Sequence, residues 1–350
     1  MRFGYWLPVF GGWLRNVEDE SMEASWEYVS RLARRSEELG FDLTLVAELN
    51  LNDIKGASAP SLDAWSTAAA LAAVTERLEV MVAVRPTFHQ PALLAKQAAN
   101  IDRISRGRLS LNVVSSWWAS EARMYGVPFD QHDDRYARTS EWLDVVSGLW
   151  REPVFSYEGK YYRADQTVLE PKPARSPRPT LYAGGESPAA KALIAAKCDA
   201  WLTHGDPPDV IARKIDDMRA RRDALDLPPM TFGSAGYVVV RSTEAEVARE
   251  VARITDVQQS ARGYANYQEW IGNTQLEQRV SLEDYSVSNR GLRAGLTGTP
   301  EQVASRIREL ERAGVDLLLL QFSPQHEEME RFADEVMPLV GGGRLAASTT

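Results

Sequence analysis

Glu79-Val80-Met81-Val82-Ala83-Val84, then residues 91–104, then Leu109-Ser110-Leu111-Asn112-Val113-Val114-Ser115 set the rhythm that decides the fold. The first block is an apolar run of strand length. The second carries apolar residues at helical spacing behind Pro91, a residue suited to a first helical turn. The third is again apolar, entered through Arg106-Gly107-Arg108 and left through Ser115-Ser116. Apolar strands separated by helices predict parallel strands buried on both faces.

The same alternation extends in both directions. Strands are expected at residues 3–9, 43–47, 180–183, 200–203, 232–241 and 315–322. Helices are expected at 23–39, from Ser61 as N-cap, and at 136–150, 188–197, 207–225, 300–313 and 326–336, with Thr299 capping the seventh. Eight strand-then-helix units favour a closed (β/α)8 TIM barrel over an open doubly wound sheet. One domain is expected over residues 1–340, with a frayed tail at 341–350. Three insertions, about 117–135, 151–179 and 255–298, exceed ordinary loop length and belong over the C-terminal ends of the strands. The second reads as a hairpin over 155–164, turning at Glu158-Gly159.

Composition removes several classes. Among 350 residues there are 40 Lys+Arg, 49 Asp+Glu, one Cys, four His and ten Trp. One Cys excludes an internal disulfide, and scattered His exclude a zinc finger or an HExxH helix. A net charge of −9 argues against gripping nucleic-acid phosphates. No targeting segment and no membrane-length apolar run is present, so a cytoplasmic protein is expected. GxSxG, GxxxxGK[ST] and GxGxxG are all missing.

Chemistry must therefore sit at strand ends. Asn112 is an amide in an apolar strand, either a satisfied core group or a hydrogen bond to a planar ring. Trp117 and Trp118 follow that strand, as core aromatics or as walls of an apolar cavity. Ala183-Gly184-Gly185-Glu186-Ser187-Pro188 is a glycine turn with an N-cap, or a phosphate cradle at a helix start. Arg135, in Asp133-Asp134-Arg135-Tyr136, is a solvated cation or a phosphate partner. Residues 283–295, with Arg290, Arg293 and flanking glycines, are a solvated loop or a mobile lid.

Taken in order, these motifs resemble the bacterial luciferase-like flavin-dependent monooxygenases, in the branch of alkanesulfonate and dimethyl sulfone monooxygenases. The resemblance spans about residues 1–340. It is carried by Asp102-Arg103-Ile104-Ser105-Arg106-Gly107-Arg108, Asn112 to Trp117, His132-Asp133-Asp134-Arg135-Tyr136, Ala183 to Ser187, and Gly298-Thr299-Pro300-Glu301-Gln302-Val303. It implies a barrel that binds reduced FMN (FMNH2) supplied by a separate NAD(P)H-dependent reductase. It further implies reaction with O2 through a flavin peroxide, oxygenating a small organosulfur compound with C–S cleavage. FMN contacts are implied at Val46, Ala47, Asn112, Glu121, Arg135, Tyr136, Gly184, Gly185 and Ser187. Trp6, Trp117, Trp118 and Arg293 are expected around the substrate, and Arg290, Tyr237 and His89 as catalytic candidates. A homodimer or homotetramer is implied, with no nucleic-acid or membrane partner.

The chain departs from the alkanesulfonate pattern. Ser61 stands where those enzymes carry a Cys; Phe232 to Tyr237 lacks their strand-seven Arg and His; Phe322-Ser323-Pro324 replaces their Tyr. A sulfone is thus as fitting a substrate as a sulfonate. The rival readings are an F420-dependent oxidoreductase on the same barrel and a non-catalytic flavin-binding barrel.

Overall fold

A computed structural model describes residues 1–341 except 257–263, 276, 278 and 279, and at 288–290 the backbone alone. Eight parallel strands close into a barrel: β1 (Arg2–Trp6), β2 (Leu43–Val46), β3 (Glu79–Val84), β4 (Leu109–Val113), β5 (Thr180–Gly184), β6 (Ala200–Thr203), β7 (Thr231–Tyr237) and β8 (Leu317–Gln321). Each pairs in parallel with its sequence neighbours, and β8 closes on β1 with Arg2 opposite Leu317.

Side-chain alternation explains why these segments are barrel strands. Leu43, Leu45, Met81, Tyr182, Leu317 and Leu319 fill the interior, while Val80, Val82, Leu109, Leu111, Leu318 and Leu320 face outward into the layer under the helices. Gly4 gives the interior space: a Cβ there would lie 2.7 Å from Leu43 Cδ2. At the N-terminal end, the Arg2 guanidinium donates to Glu79 at 3.0 Å and to the Tyr182 hydroxyl at 3.4 Å, closing the floor.

The helical ring is α1 (Trp26–Leu39), α2 (Ala64–Val74), α3 (Pro91–Ile104), α4 (His132–Arg151), α5 (Pro188–Lys197), α6 (Pro208–Asp223), α7 (Pro300–Arg312) and α8 (Gln325–Glu335). The expected caps hold at Ser187 and at Thr299, whose capping box with Gln302 is complete. Ser61 is not a cap. Its hydroxyl donates to the Leu49 carbonyl, and Asp63 caps α2 by accepting from Ser66 N at 2.7 Å. The Asp102 to Arg108 motif is floor architecture. Buried Asp102 accepts from Leu109 N and Arg175 N, and Arg108 donates to the carbonyls of Ala72, Thr75 and Leu78 at the end of α2.

The first and third insertions follow β4 and β7, as expected; the second follows α4 on the return to β5, and its far part lies at the floor, where Arg175 N donates to Asp102, not over a strand end. The first carries a short helix, Ala119–Met124; the second is a hairpin of Phe155–Glu158 with Arg163–Thr167. After β7 come the helix Glu244–Ile254, two short helices, Tyr267–Asn273 and Leu282–Ser286, and a tight turn, Ser288–Ala294. No helix among the described residues is long and apolar enough to cross a membrane.

Candidate active site

A cavity of about 280 Å³ opens over the C-terminal strand ends, roughly ten times the ~30 Å³ of a water molecule and so of ligand size. Trp6 ends β1; Ala47 and Glu48 follow β2; Ala83 and Arg85 end β3. Asn112 of β4, then Ser115, Ser116 and Trp117, continue the wall. Arg135 and Tyr136 of α4, Gly184 and Gly185 after β5, and Thr203 and His204 after β6 complete the barrel side. Trp270 and Tyr285 cover it from the insertion after β7.

Most charges on this wall are compensated. Arg85 is buried and donates through both terminal nitrogens to the Glu121 carboxylate, while its backbone N–H donates to Glu48 at 2.7 Å. Arg15 donates to Asp53 Oδ2 at 2.6 Å, and its guanidinium stacks 3.8 Å from the Tyr285 ring centroid. Burial pushes the Tyr285 hydroxyl above its usual pKa, so it stays neutral. Glu186 accepts from Lys214 at 2.6 Å.

Arg135 differs. It is buried and donates to two main-chain carbonyls, Asp130 at 3.0 Å and Asn273 at 3.1 Å, while its Nε has no partner. Burial lowers its pKa, outweighing the opposing pull of Tyr136 and Asp130. Beside it, the Tyr136 hydroxyl lies close to Ser187, the residue that caps α5. Gly185 stands between them at φ +152°; a Cβ there would lie 2.6 Å from Ala190 Cβ and 3.2 Å from the Tyr136 oxygen. A cation, two hydroxyls, bare main chain and a helix N-terminus converge on one end of the cavity. This donor set suits a phosphate.

The cavity wall also carries polar atoms that nothing in the protein satisfies. Asn112 Oδ1, Ser116 Oγ, Thr203 Oγ1 and Trp6 Nε1 are buried without hydrogen-bond partners. Buried polar atoms are ordinarily paired. Four orphans around one apolar-walled space match a planar ligand with polar edges, and together with the phosphate-suited donor set the residues present fit a flavin mononucleotide.

The expected residues divide. Ala47, Asn112, Arg135, Tyr136, Gly184, Gly185, Trp6 and Trp117 line the cavity. Val46 is fully buried at the end of β2, and Ser187 lies behind Gly185 as the α5 cap. Trp118 stacks on Trp117 with centroids 5.4 Å apart, beneath the lining. Glu121 is fully buried behind Arg85, where it accepts from the Arg85 guanidinium and from the Asn50 backbone N–H. His89 also stands one residue back, its Nε2 2.5 Å from Glu48 Oε1. Tyr237 is fully buried in the core under the turn at Gly291, where a Cβ would come within 2.5 Å of its own; it lies outside the cavity lining. Arg293 pairs with Asp206 at 3.0 Å and Asp284 at 3.6 Å, away from the cavity lining. The Arg290 side chain lies outside the described residues. Cys198 is buried, and burial pushes its thiol up to about 12, which leaves it inert.

Sequence reading missed Glu48, Arg85, Trp13 and the Arg15–Asp53 pair. Arg85 alone carried a signal, a cation directly after an apolar strand. The Arg15–Asp53 contact joins loops 38 positions apart and has no local signature.

The pattern that defines the luciferase-like monooxygenases matches residues 1–317. The chain is 34% identical over 349 residues to the FMNH2-dependent dimethylsulfone monooxygenase of Pseudomonas putida, covering 97% of this chain and 95% of that protein. A long-chain alkane monooxygenase has the same fold, with a TM-score of 0.84 at 20% identity over 100% of this chain and 93% of that one. A riboflavin lyase matches with a TM-score of 0.81 at 21% identity, over 99% and 94% of the two chains. A closed parallel barrel, a cavity at its strand ends and a near-full-length relative agree: the chain belongs to the luciferase-like monooxygenase family.

Proposed function

We propose that the protein is a two-component monooxygenase. It takes reduced FMN from a separate NAD(P)H-dependent reductase and uses O2 to oxygenate a small neutral organosulfur compound, a sulfone, with C–S cleavage. The observation that carries this reading is that a phosphate-suited donor set and orphaned polar atoms line one aromatic-walled cavity. The Pseudomonas putida relative, named for dimethylsulfone, supports the substrate class.

Arg135, Tyr136, Ser187 and the Gly184-Gly185 main chain hold the phosphate, and Asn112 with its orphaned neighbours meets the ring edge. Bound there, reduced FMN supplies the two electrons with which O2 places one oxygen on the substrate and the other in water. Trp6, Phe10, Trp13 and Trp117 keep bulk water from that chemistry. The paired charges favour a neutral substrate. Arg15 and Arg85 already hold carboxylates, so a sulfonate would enter without an uncommitted cation among the described wall residues beyond the phosphate end. Oxygenation of a carbon next to a sulfone replaces C–H by C–OH. Loss of the hydroxyl proton then breaks the C–S bond, its electron pair leaving on sulfur as sulfinate and the carbon leaving as aldehyde.

The test supplies the protein with FMN, a flavin reductase, NADH and air, and analyses products from sulfones, sulfonates and nitrogen heterocycles. Sulfinate and aldehyde from a dialkyl sulfone are expected. NADH consumption yielding only hydrogen peroxide with every compound, or tight binding of F420 with weak binding of reduced FMN, overturns the proposal.

A further inference from the structure

Three carboxylates among the described residues line the cavity: Glu48, Asp53 and Glu186. Two of them end on a strong cation. Asp53 binds Arg15, and Glu186 binds Lys214 at 2.6 Å, with His204 Nδ1 farther off at 3.7 Å. Glu48 ends on an imidazole. Its Oε1 meets His89 Nε2 at 2.5 Å, and its Oε2 accepts the Arg85 backbone N–H at 2.7 Å, with Arg85 Nε at 3.5 Å. Arg85 turns the rest of its charge toward Glu121.

The pair spans the wall. The Glu48 side chain is 9% exposed and the His89 side chain 21% exposed. His89 is fixed from three sides. Its ring packs 5.7 Å from the Trp65 ring of α2, its carbonyl accepts from Trp142 Nε1 of α4 at 2.9 Å, and its amide donates to Pro86. These neighbours are aromatic or main chain, so Glu48 is the charged group that the imidazole meets directly.

We infer that Glu48 and His89 form the proton route between the closed cavity and solvent. Glu48 is the catalytic group at the cavity surface, and His89 is a relay that acts through it. The inference rests on the sulfone reading above, in which each turnover must release a proton from a water-excluding site. As the C–S bond breaks, the hydroxyl proton passes to Glu48. Glu48 passes it to His89 Nε2 while the imidazole holds its own proton on Nδ1, and that Nδ1 proton leaves to water; the Nε2–H form left behind is the resting one, and it returns to the Nδ1–H form by exchange with water before the next turnover. Imidazole can carry a proton in on one nitrogen and out on the other near neutral pH. The departing electron pair stays on sulfur, so no further oxidant or reductant is required.

Two readouts test the route. The first needs no flavin: the wild-type protein is expected to show a low-field Nε2–H proton resonance by NMR, shifted in Glu48→Gln and absent in His89→Gln. The second is turnover. His89→Gln, which keeps a donor toward Glu48, is expected to lower kcat by about 100-fold, within the ~10²–10⁴ range of acid–base assistance, with KM for the sulfone within twofold of wild type. Added imidazole is expected to restore at least tenfold in His89→Ala and nothing in Glu48→Ala. Wild-type kcat in His89→Gln, no imidazole rescue in a folded His89→Ala, or no low-field resonance overturns the route. If the resonance is present and answers to Glu48→Gln while no sulfone is turned over, the substrate reading falls and the pair's hydrogen bond stands.

Discussion

Arg85 and Arg15 are both buried cations in the cavity wall, yet they hold different kinds of structure. Arg85 ends a barrel strand, and its carboxylate partner, Glu121, sits fully buried in a helix of six residues against the same side of the barrel. Arg15 lies in the loop after β1 and reaches across the mouth. It binds Asp53 of the β2 loop, and it donates to the Tyr285 carbonyl of the insertion after β7. The first pair stiffens a wall. The second clasps a cover. In a barrel that binds a diffusing cofactor, the wall must keep its shape while the cover opens.

That contrast sets the order of effects. Arg85→Ala strands Glu121 in a place water cannot reach, and a loss of about 3–5 kcal/mol in equilibrium denaturation is expected. Arg85→Met combined with Glu121→Leu should recover more than half of it. Equal losses in the single and double variants would show that the pair is not what stiffens the wall. Arg15→Ala is expected to cost less, about 1–3 kcal/mol, because Asp53 regains water when the cover lifts. Its larger consequence is functional. Proteolysis within residues 264–294 should accelerate at least tenfold, and more of the NADH should go to hydrogen peroxide. Unchanged proteolysis would remove the clasp from the account.

Smaller effects probe the cavity itself. Gly185→Ala forces a side chain into a backbone at φ +152° against Ala190 and Tyr136. A cost of about 1–3 kcal/mol is expected, together with weaker reduced FMN in anaerobic titration. Asn112→Leu removes an amide whose oxygen has no partner. Stability should hold or rise by up to about 1 kcal/mol, while reduced-flavin affinity falls about tenfold. A fall in stability with unchanged affinity would make Asn112 an ordinary core amide. The smallest effect lies on the helix before the cover. The Arg253 hydrogen bond holds the Glu250 carboxyl below its usual range. Its contribution is present above the unfolded glutamate pKa and lost as pH falls through the folded value. In a half-exposed pair it is worth about half a kcal/mol, so Glu250→Gln should matter at pH 7 and progressively less as the pH falls through the folded carboxyl's range.

The wall was legible in the sequence residue by residue, while the cover was legible only in its place in the chain, for a physical reason. Strand ends are fixed by local apolar runs, so Asn112, Gly184-Gly185 and Trp117 could be placed at the mouth from their neighbours in the chain. Tyr237 shows where that reasoning stops. It has the same strand parity as Ala235, which lines the cavity, but β7 ends there and the turn at Gly291 closes over its side chain. Arg293 is expected near the substrate from the family resemblance and the composition of its loop. Asp206, distant in sequence, and Asp284, in the same insertion, hold it outside the cavity lining. The Arg85–Glu121 and Glu48–His89 pairs join separate strand ends, and only the closed barrel brings them together.

The central claim is that this cavity oxygenates a neutral sulfone with reduced FMN. A single-turnover experiment tests it most directly: one equivalent of reduced FMN, air, and either dimethyl sulfone or methanesulfonate. The account predicts close to one equivalent of methanesulfinate and formaldehyde from the sulfone, and only hydrogen peroxide with the sulfonate. Product from methanesulfonate, with dimethyl sulfone left intact, would contradict it.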